Sequence, residues 1–180
     1  NNTGLGSGAL VANTTGANNT AVGRDALDAN TTANNNAAFG YLSLSANTTG
    51  TKQTALGTQT LETATTGDQN TGVGYGALAS ITAASNNTAV GSNALVQSTA
   101  DANTAVGKSA LEQNTSGTEN SSLGAFSLDA NTSGDSNTSV GYAALGANTT
   151  ADGNVAVGTK SIENNTIGTQ NAALGAYSLR

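Results

Sequence analysis

Large apolar residues in this chain concentrate at two positions of a fixed cycle, with polar residues in register between them. Counted from the residue that opens each cycle, the fourth is always apolar and sizeable: Leu5, Val22, Phe39, Leu56, Val73, Val90, Val106, Leu123, Val140, Val157 and Leu174. The ninth is Leu in every cycle but one, where Ile162 stands. The first is Asn, with Gln53 the single exception, the fifth is always Gly, and the thirteenth is Thr wherever the cycle reaches it. Cycles begin at residues 2, 19, 36, 53, 70, 87, 103, 120, 137, 154 and 171, so the step is 17 residues throughout, except one of 16 between Asn87 and Asn103. A fixed short period is the mark of a stacked repeat and outranks residue-by-residue propensity. It predicts an all-β parallel solenoid, a β-roll or β-helix, with residues 1–180 forming one array of about 17 residues per coil.

Within a coil, positions one to four read as a short strand, with Thr and Val on one face and Asn and Ala on the other. Positions eight to eleven, as in Ala110-Leu111-Glu112-Gln113, read as a second strand. A helix is not expected, because the obligatory Gly and the Thr-Thr-Gly break leave no room for three clean turns in 17 residues. Positions four and nine are expected to stack as two ladders lining a narrow core: Val22 and Val106, with Leu27, Leu44, Leu61, Leu78, Leu95, Leu111, Leu128, Leu145 and Ile162. The glycines Gly23, Gly40, Gly57, Gly74, Gly91, Gly107, Gly124, Gly141 and Gly158 mark a turn with positive φ or a close backbone approach. The leading Asn suits an amide ladder, and Asn-Thr-Thr-Gly is turn chemistry. The residue at position three is always small, which implies a backbone packed over it. Positions six, seven and ten vary and should face outward, which makes Tyr41, Tyr75, Phe126, Tyr142 and Tyr177 possible surface contacts. The one lost residue is expected in the turn near Asp101.

Composition narrows the function classes. Charged residues are 9% of the chain, against about 25% in ordinary domains. There is no Cys and no His, which removes disulfides, thiolate metal sites and the usual nucleophile–base triads. A net charge of −6 with five basic residues argues against nucleic acid, which needs a basic stripe. No apolar run reaches the roughly 18 residues of a membrane helix, so membrane insertion is not expected. Two aliphatics per coil form a thin core, so we expect the small-residue face to be buried against sister chains, three around one axis. Because the pattern runs to both ends without a polar cap, a section of a longer protein is expected.

The phrase Asn103-Thr104-Ala105-Val106-Gly107, with the Ala-Leu that follows it and the Asn-Thr-Thr-Gly turn seen at Asn13–Gly16 and Asn47–Gly50, resembles the repeat regions of phage and other viral tail-fibre proteins. It is also similar to the head repeats of YadA-type trimeric autotransporter adhesins, whose unit is shorter. The resemblance covers the whole chain. It implies a trimeric parallel β-roll in a virion fibre or at a cell surface, with no cofactor, no catalytic residue, and host contact made through other domains.

The expected role is therefore a rigid shaft that holds a distal recognition domain away from the particle. Two rivals stand beside it: an adhesive head that binds glycans or receptors, and a minor one, an ice-binding solenoid built on the Thr column. Carboxylate pairs such as Asp25 with Asp28, or Asp129 with Asp135, read as solvated turn charges rather than an acid–base couple. Seven Asp spread along the chain are too sparse for glycine-rich calcium repeats. The Asn-x-Ser/Thr sequons follow from the repeat itself.

Overall fold

The computed structural model describes residues 1–179; Arg180, counted above among the basic residues, lies outside them. The chain forms a β-solenoid of about ten turns with one strand per coil. The eleven strands run from β1 (Thr3–Leu5), β2 (Thr20–Val22), β3 (Ala37–Phe39), β4 (Thr54–Leu56), β5 (Thr71–Val73) and β6 (Thr88–Val90) to β7 (Thr104–Val106), β8 (Ser121–Leu123), β9 (Thr138–Val140), β10 (Val155–Val157) and β11 (Ala172–Leu174). They pair in chain order as one parallel sheet, like residue on like residue, so Ala21 lies between Gly4 and Ala38. Ten steps at the usual strand spacing give a sheet about 48 Å long.

The strand presents the opposite face to the one expected. Position three points inward: Ala21, Ala38, Ala55, Ala89, Ala105 and Ala156 have no exposed surface. Since side chains alternate along a strand, positions two and four must then point outward together. Val22 and Val106 are half-buried on the outer face and are not part of the core cluster. The core ladder is position nine alone, Leu27 through Ile162, packed with position three and position eight. The interior is narrow enough that a Cβ added at Gly72 would sit 3.4 Å from the Ala77 carbonyl oxygen and 3.6 Å from Leu61 Cδ1. Position three is small because the far wall of the same coil stands that close.

Positions eight to eleven are not a strand. The stretch from six to eleven is a run of turns, with bonds such as Ala26 N–H to Gly23 O and Asn30 N–H to Leu27 O. Residues at positions seven, nine and seventeen adopt positive φ, and this includes every core Leu, from Leu27 at 51° to Leu145 at 52°. A bulky residue there is unusual and costs on the order of 1 kcal/mol. The return is geometric: positions eight and nine both face inward, which a pleated strand forbids, and the backbone still bonds between coils, as in Leu27 N–H to Ser43 O. Position ten is consequently half-buried rather than exposed.

Polar residues fill the rest of the interior. From Asn2 to Asn137 each leading amide bonds in two directions: Asn120 Oδ1 accepts the backbone N–H of Asn137 at 2.9 Å, and Asn120 Nδ2 donates to Gly134 O at 2.8 Å across its own coil. A second amide column stands at position twelve, where Asn131 Nδ2 donates to Asn114 Oδ1 at 2.8 Å and to Gly134 O at 3.0 Å. That column fails over three coils, at Ala64, Ile81 and Ser98, and Asn47 Oδ1, which faces the first gap, is buried without a partner. Most sequon asparagines belong to these two columns, so Asn30, Asn114 and Asn148 are closed to glycosylation in the folded chain. The short coil loses position fourteen, between Thr99 and Ala100, in the turn near Asp101 where the loss was expected. Ala100 fills the buried position fifteen, where its carbonyl takes the Asn87 Nδ2 bond, and Asp101 fills position sixteen, accepting Ser85 N–H.

Candidate interaction face

Outward-facing positions two and four form one continuous surface over all eleven strands. Thr, Ser, Ala and Val occupy position two and Val, Leu and Phe position four, and neither column holds a charged residue. Leu123 is 50% exposed and Phe39 39%. Every charged residue among those described lies instead at positions six, seven, ten, sixteen or seventeen. A monomer's largest apolar patch is commonly a few hundred Å². The position-four column runs as an uncharged apolar stripe about 48 Å along the stack, beside the Thr-rich column at position two.

Immediately after the strand, the Gly column turns the chain. Gly107 has φ 136°, and a Cβ there would lie 2.5 Å from the carbonyl carbon and oxygen of Gly124 in the next coil. The same close approach recurs at Gly23, Gly40, Gly57, Gly74, Gly91, Gly124, Gly141 and Gly158. Beyond this turn stand Tyr41, Tyr75, Phe126, Tyr142 and Tyr177. They are not all isolated. Phe126 and Tyr142, in adjacent coils, meet edge-to-face at 6.0 Å, and Lys108 Nζ sits 5.3 Å from the Phe126 ring centre. Arg24 lies 5.1 Å over the Tyr41 ring and is paired with Asp25 at 2.9 Å. Residues from positions six and seven of neighbouring coils touch because strand spacing brings them together.

Carboxylates gather on other edges. Burial raises the pKa of Asp129 above the usual carboxylate range, opposed by backbone N–H bonds and reinforced by Glu112 in the preceding coil. Asp28 is raised likewise, first by burial and also by Asp25. Asp135 is not with Asp129: it stands at position sixteen, bonded to Thr118 N–H at 2.7 Å. A raised folded pKa means the native state holds its proton more tightly than the unfolded chain. Stability is then greatest below the usual carboxylate pKa and declines as pH rises to the raised value. Asp129→Asn should flatten this decline and raise the midpoint of thermal unfolding at pH 7 while leaving it near wild type at pH 3.

Thr side chains at position thirteen are tied to the ladder. Thr14, Thr48 and Thr132 donate their hydroxyl protons to the position-thirteen carbonyl of the next coil at 2.9, 3.2 and 3.0 Å. The amide column at position twelve had no reading of its own in the sequence. Its signal was present in Asn13, Asn30, Asn47, Asn114, Asn131, Asn148 and Asn165, hidden inside a motif that turn chemistry already explained. No helix among the described residues is long and apolar enough to cross a membrane. No family model matches this chain, and neither a curated protein nor a solved structure shows significant similarity to it.

Proposed function

We propose that this chain is a structural fibre section, three copies associating through their strand faces to make a rigid shaft in a viral tail fibre or cell-surface appendage. The observation that carries the reading is the uncharged face repeated over eleven strands, an apolar column at position four beside a column of mostly Thr at position two. A single chain leaves that face in water, and only a partner of equal length and regularity would cover all of it. Closure by three parallel copies gives every chain the same environment and leaves both ends open for continuation of the fibre. What recurs in every coil is what stacking requires, so each coil adds the same rise, which is the property a length-setting element needs. The resemblance to tail-fibre and adhesin-head repeats points the same way, and a distal recognition domain would then make the host contact. Electron microscopy of the intact fibre tests this: the section should be a thin, straight segment between base and tip, about 5 nm long. A globular knob in its place would contradict it.

One observation favours the adhesive reading, namely the cluster of Lys108, Phe126 and Tyr142 beside exposed Leu123. Such a cluster offers ring faces and a cation to a glycan. Glycan binding by this section alone, lost in Phe126→Ala and Tyr142→Ala, would support that reading over the shaft. The ice-binding reading draws less support from position thirteen, where Thr14, Thr48 and Thr132 donate their hydroxyl protons to carbonyls of the next coil.

A further inference from the structure

The two edges of the strand face carry different chemistry. Before each strand, at position sixteen, stand Asp68, Asp101, Asp135 and Asp152, in the rows of β5, β7, β9 and β10. After the strand, at positions six and seven of those same rows, stand Tyr75, Lys108, Tyr142 and Lys160. Every position-sixteen acid thus has a hydrogen-bond donor on the far edge of its own row. Within one chain the strand and its flanking turn separate the two. Each acid uses Oδ1 locally, accepting backbone N–H from Thr51, Ser85, Thr118 and Asp135 respectively at 2.6–2.8 Å. Their Oδ2 atoms remain for another partner. On the opposite edge Tyr75 and Tyr142 are 57% and 51% exposed.

We propose that neighbouring copies of this chain pair these edges, the acidic edge of one against the tyrosine–lysine edge of the next, in parallel and with no offset along the stack. The proposal rests on the trimeric reading above and specifies its contacts. Charge complementarity selects the occupant, because an acid on one edge meets a Lys or Tyr on the other only in a partner that repeats with the same period. Register supports it independently. At zero offset all four acids meet Tyr75, Lys108, Tyr142 and Lys160. Sliding the partner one coil in one direction leaves two matches, Asp135 with Lys160 and Asp152 with Tyr177. Sliding it the other way leaves one, Asp152 with Tyr142. Zero offset is also what a rotation axis parallel to the stack imposes on a closed ring. The pairing further relieves the repulsion between Asp135 and Asp152, which stand in adjacent coils of a chain with net charge −6.

Carbodiimide coupling, which joins a carboxylate to an amine in direct contact, tests the proposal on the unmodified chain. Isotopically heavy and light chains are folded together, coupled and digested, and heavy–light peptides are read by mass spectrometry. Lys160 with Glu163, an ion pair at 2.6 Å within one chain, serves as the internal control. The expected result is heavy–light linkage of Asp101 to Lys108 and of Asp152 to Lys160, with the first lost in Lys108→Gln and the second retained. Lys160 amines that couple to Glu163 are withdrawn from Asp152, so Asp101 to Lys108 is the deciding link: suppose the control forms and sedimentation shows an assembly, but that link is absent or Asp135 couples to Lys160 instead. The register is then wrong, while the shaft reading stands. A wild-type chain sedimenting singly would overturn both.

Discussion

Gly107→Val should unfold its coil or cost the chain about 2–6 kcal/mol. Two separate penalties add. The backbone at φ 136° belongs almost exclusively to glycine, and forcing a β-branched residue into it costs about 1–3 kcal/mol. The new Cβ also meets the Gly124 carbonyl carbon and oxygen at 2.5 Å, closer than any real Cβ contact, and overpacking of this kind costs a further 1–3 kcal/mol or so. Relief would require moving the next coil, which carries the same glycine against Gly141 in turn. Urea unfolding followed by circular dichroism measures the loss. Gly153→Ala provides the comparison: it has positive φ but only one atom, Gln170 Cγ at 3.6 Å, near the added Cβ. Its effect should be confined to the conformational part, about 1–3 kcal/mol.

Asn120→Leu keeps the volume and removes the chemistry. The wild-type side chain is about 1% exposed. Substitution leaves the Asn137 backbone N–H without its acceptor, takes one of two donors from Gly134 O, and inserts an apolar group between Asn103 and Asn137. Each buried polar group left unsatisfied costs about 1–3 kcal/mol, so a loss of about 2–5 kcal/mol is expected. Asn120→Gln is the informative companion, because Gln53 already occupies this position in another coil and donates to Gly67 O from the same side. It should retain more of the stability than Leu does. Equal losses for Leu and Gln would mean that shape, not hydrogen bonding, sets the requirement.

The period of 17 and the parallel stack it implies were legible because a coil is the shortest unit that can repeat every contact. One strand per coil was not. Ala110-Leu111-Glu112-Gln113 carries no signal separating a pleated strand from a run of turns, since the deciding feature is positive φ at Leu111, where propensity forbids it. Tertiary packing outweighed that local cost. The inward face of the strand was misjudged for a related reason. Val106 is larger and more apolar than Ala105, so hydrophobicity alone sends it to the core, but the interior opposite is filled by Leu111 and has room only for a methyl group. The pairing of Thr with Val and of Asn with Ala was legible, because alternation fixes which residues share a face; which face is inside depends on the width of the coil. The amide column at position twelve went unread because an Asn before Thr-Thr-Gly, as at Asn13 and Asn47, is already accounted for by turn chemistry, and burial is invisible to it.

Sedimentation equilibrium of the chain, with and without charge on the strand face, tests the central claim most directly. The 17.4 kDa chain should sediment at three times that mass. Val90→Asp combined with Val106→Asp places two carboxylates in the middle of the face without entering the core, so the double variant should sediment as a single chain and keep its circular dichroism spectrum. A wild-type mass of one chain, or a double variant that remains trimeric, would contradict the account.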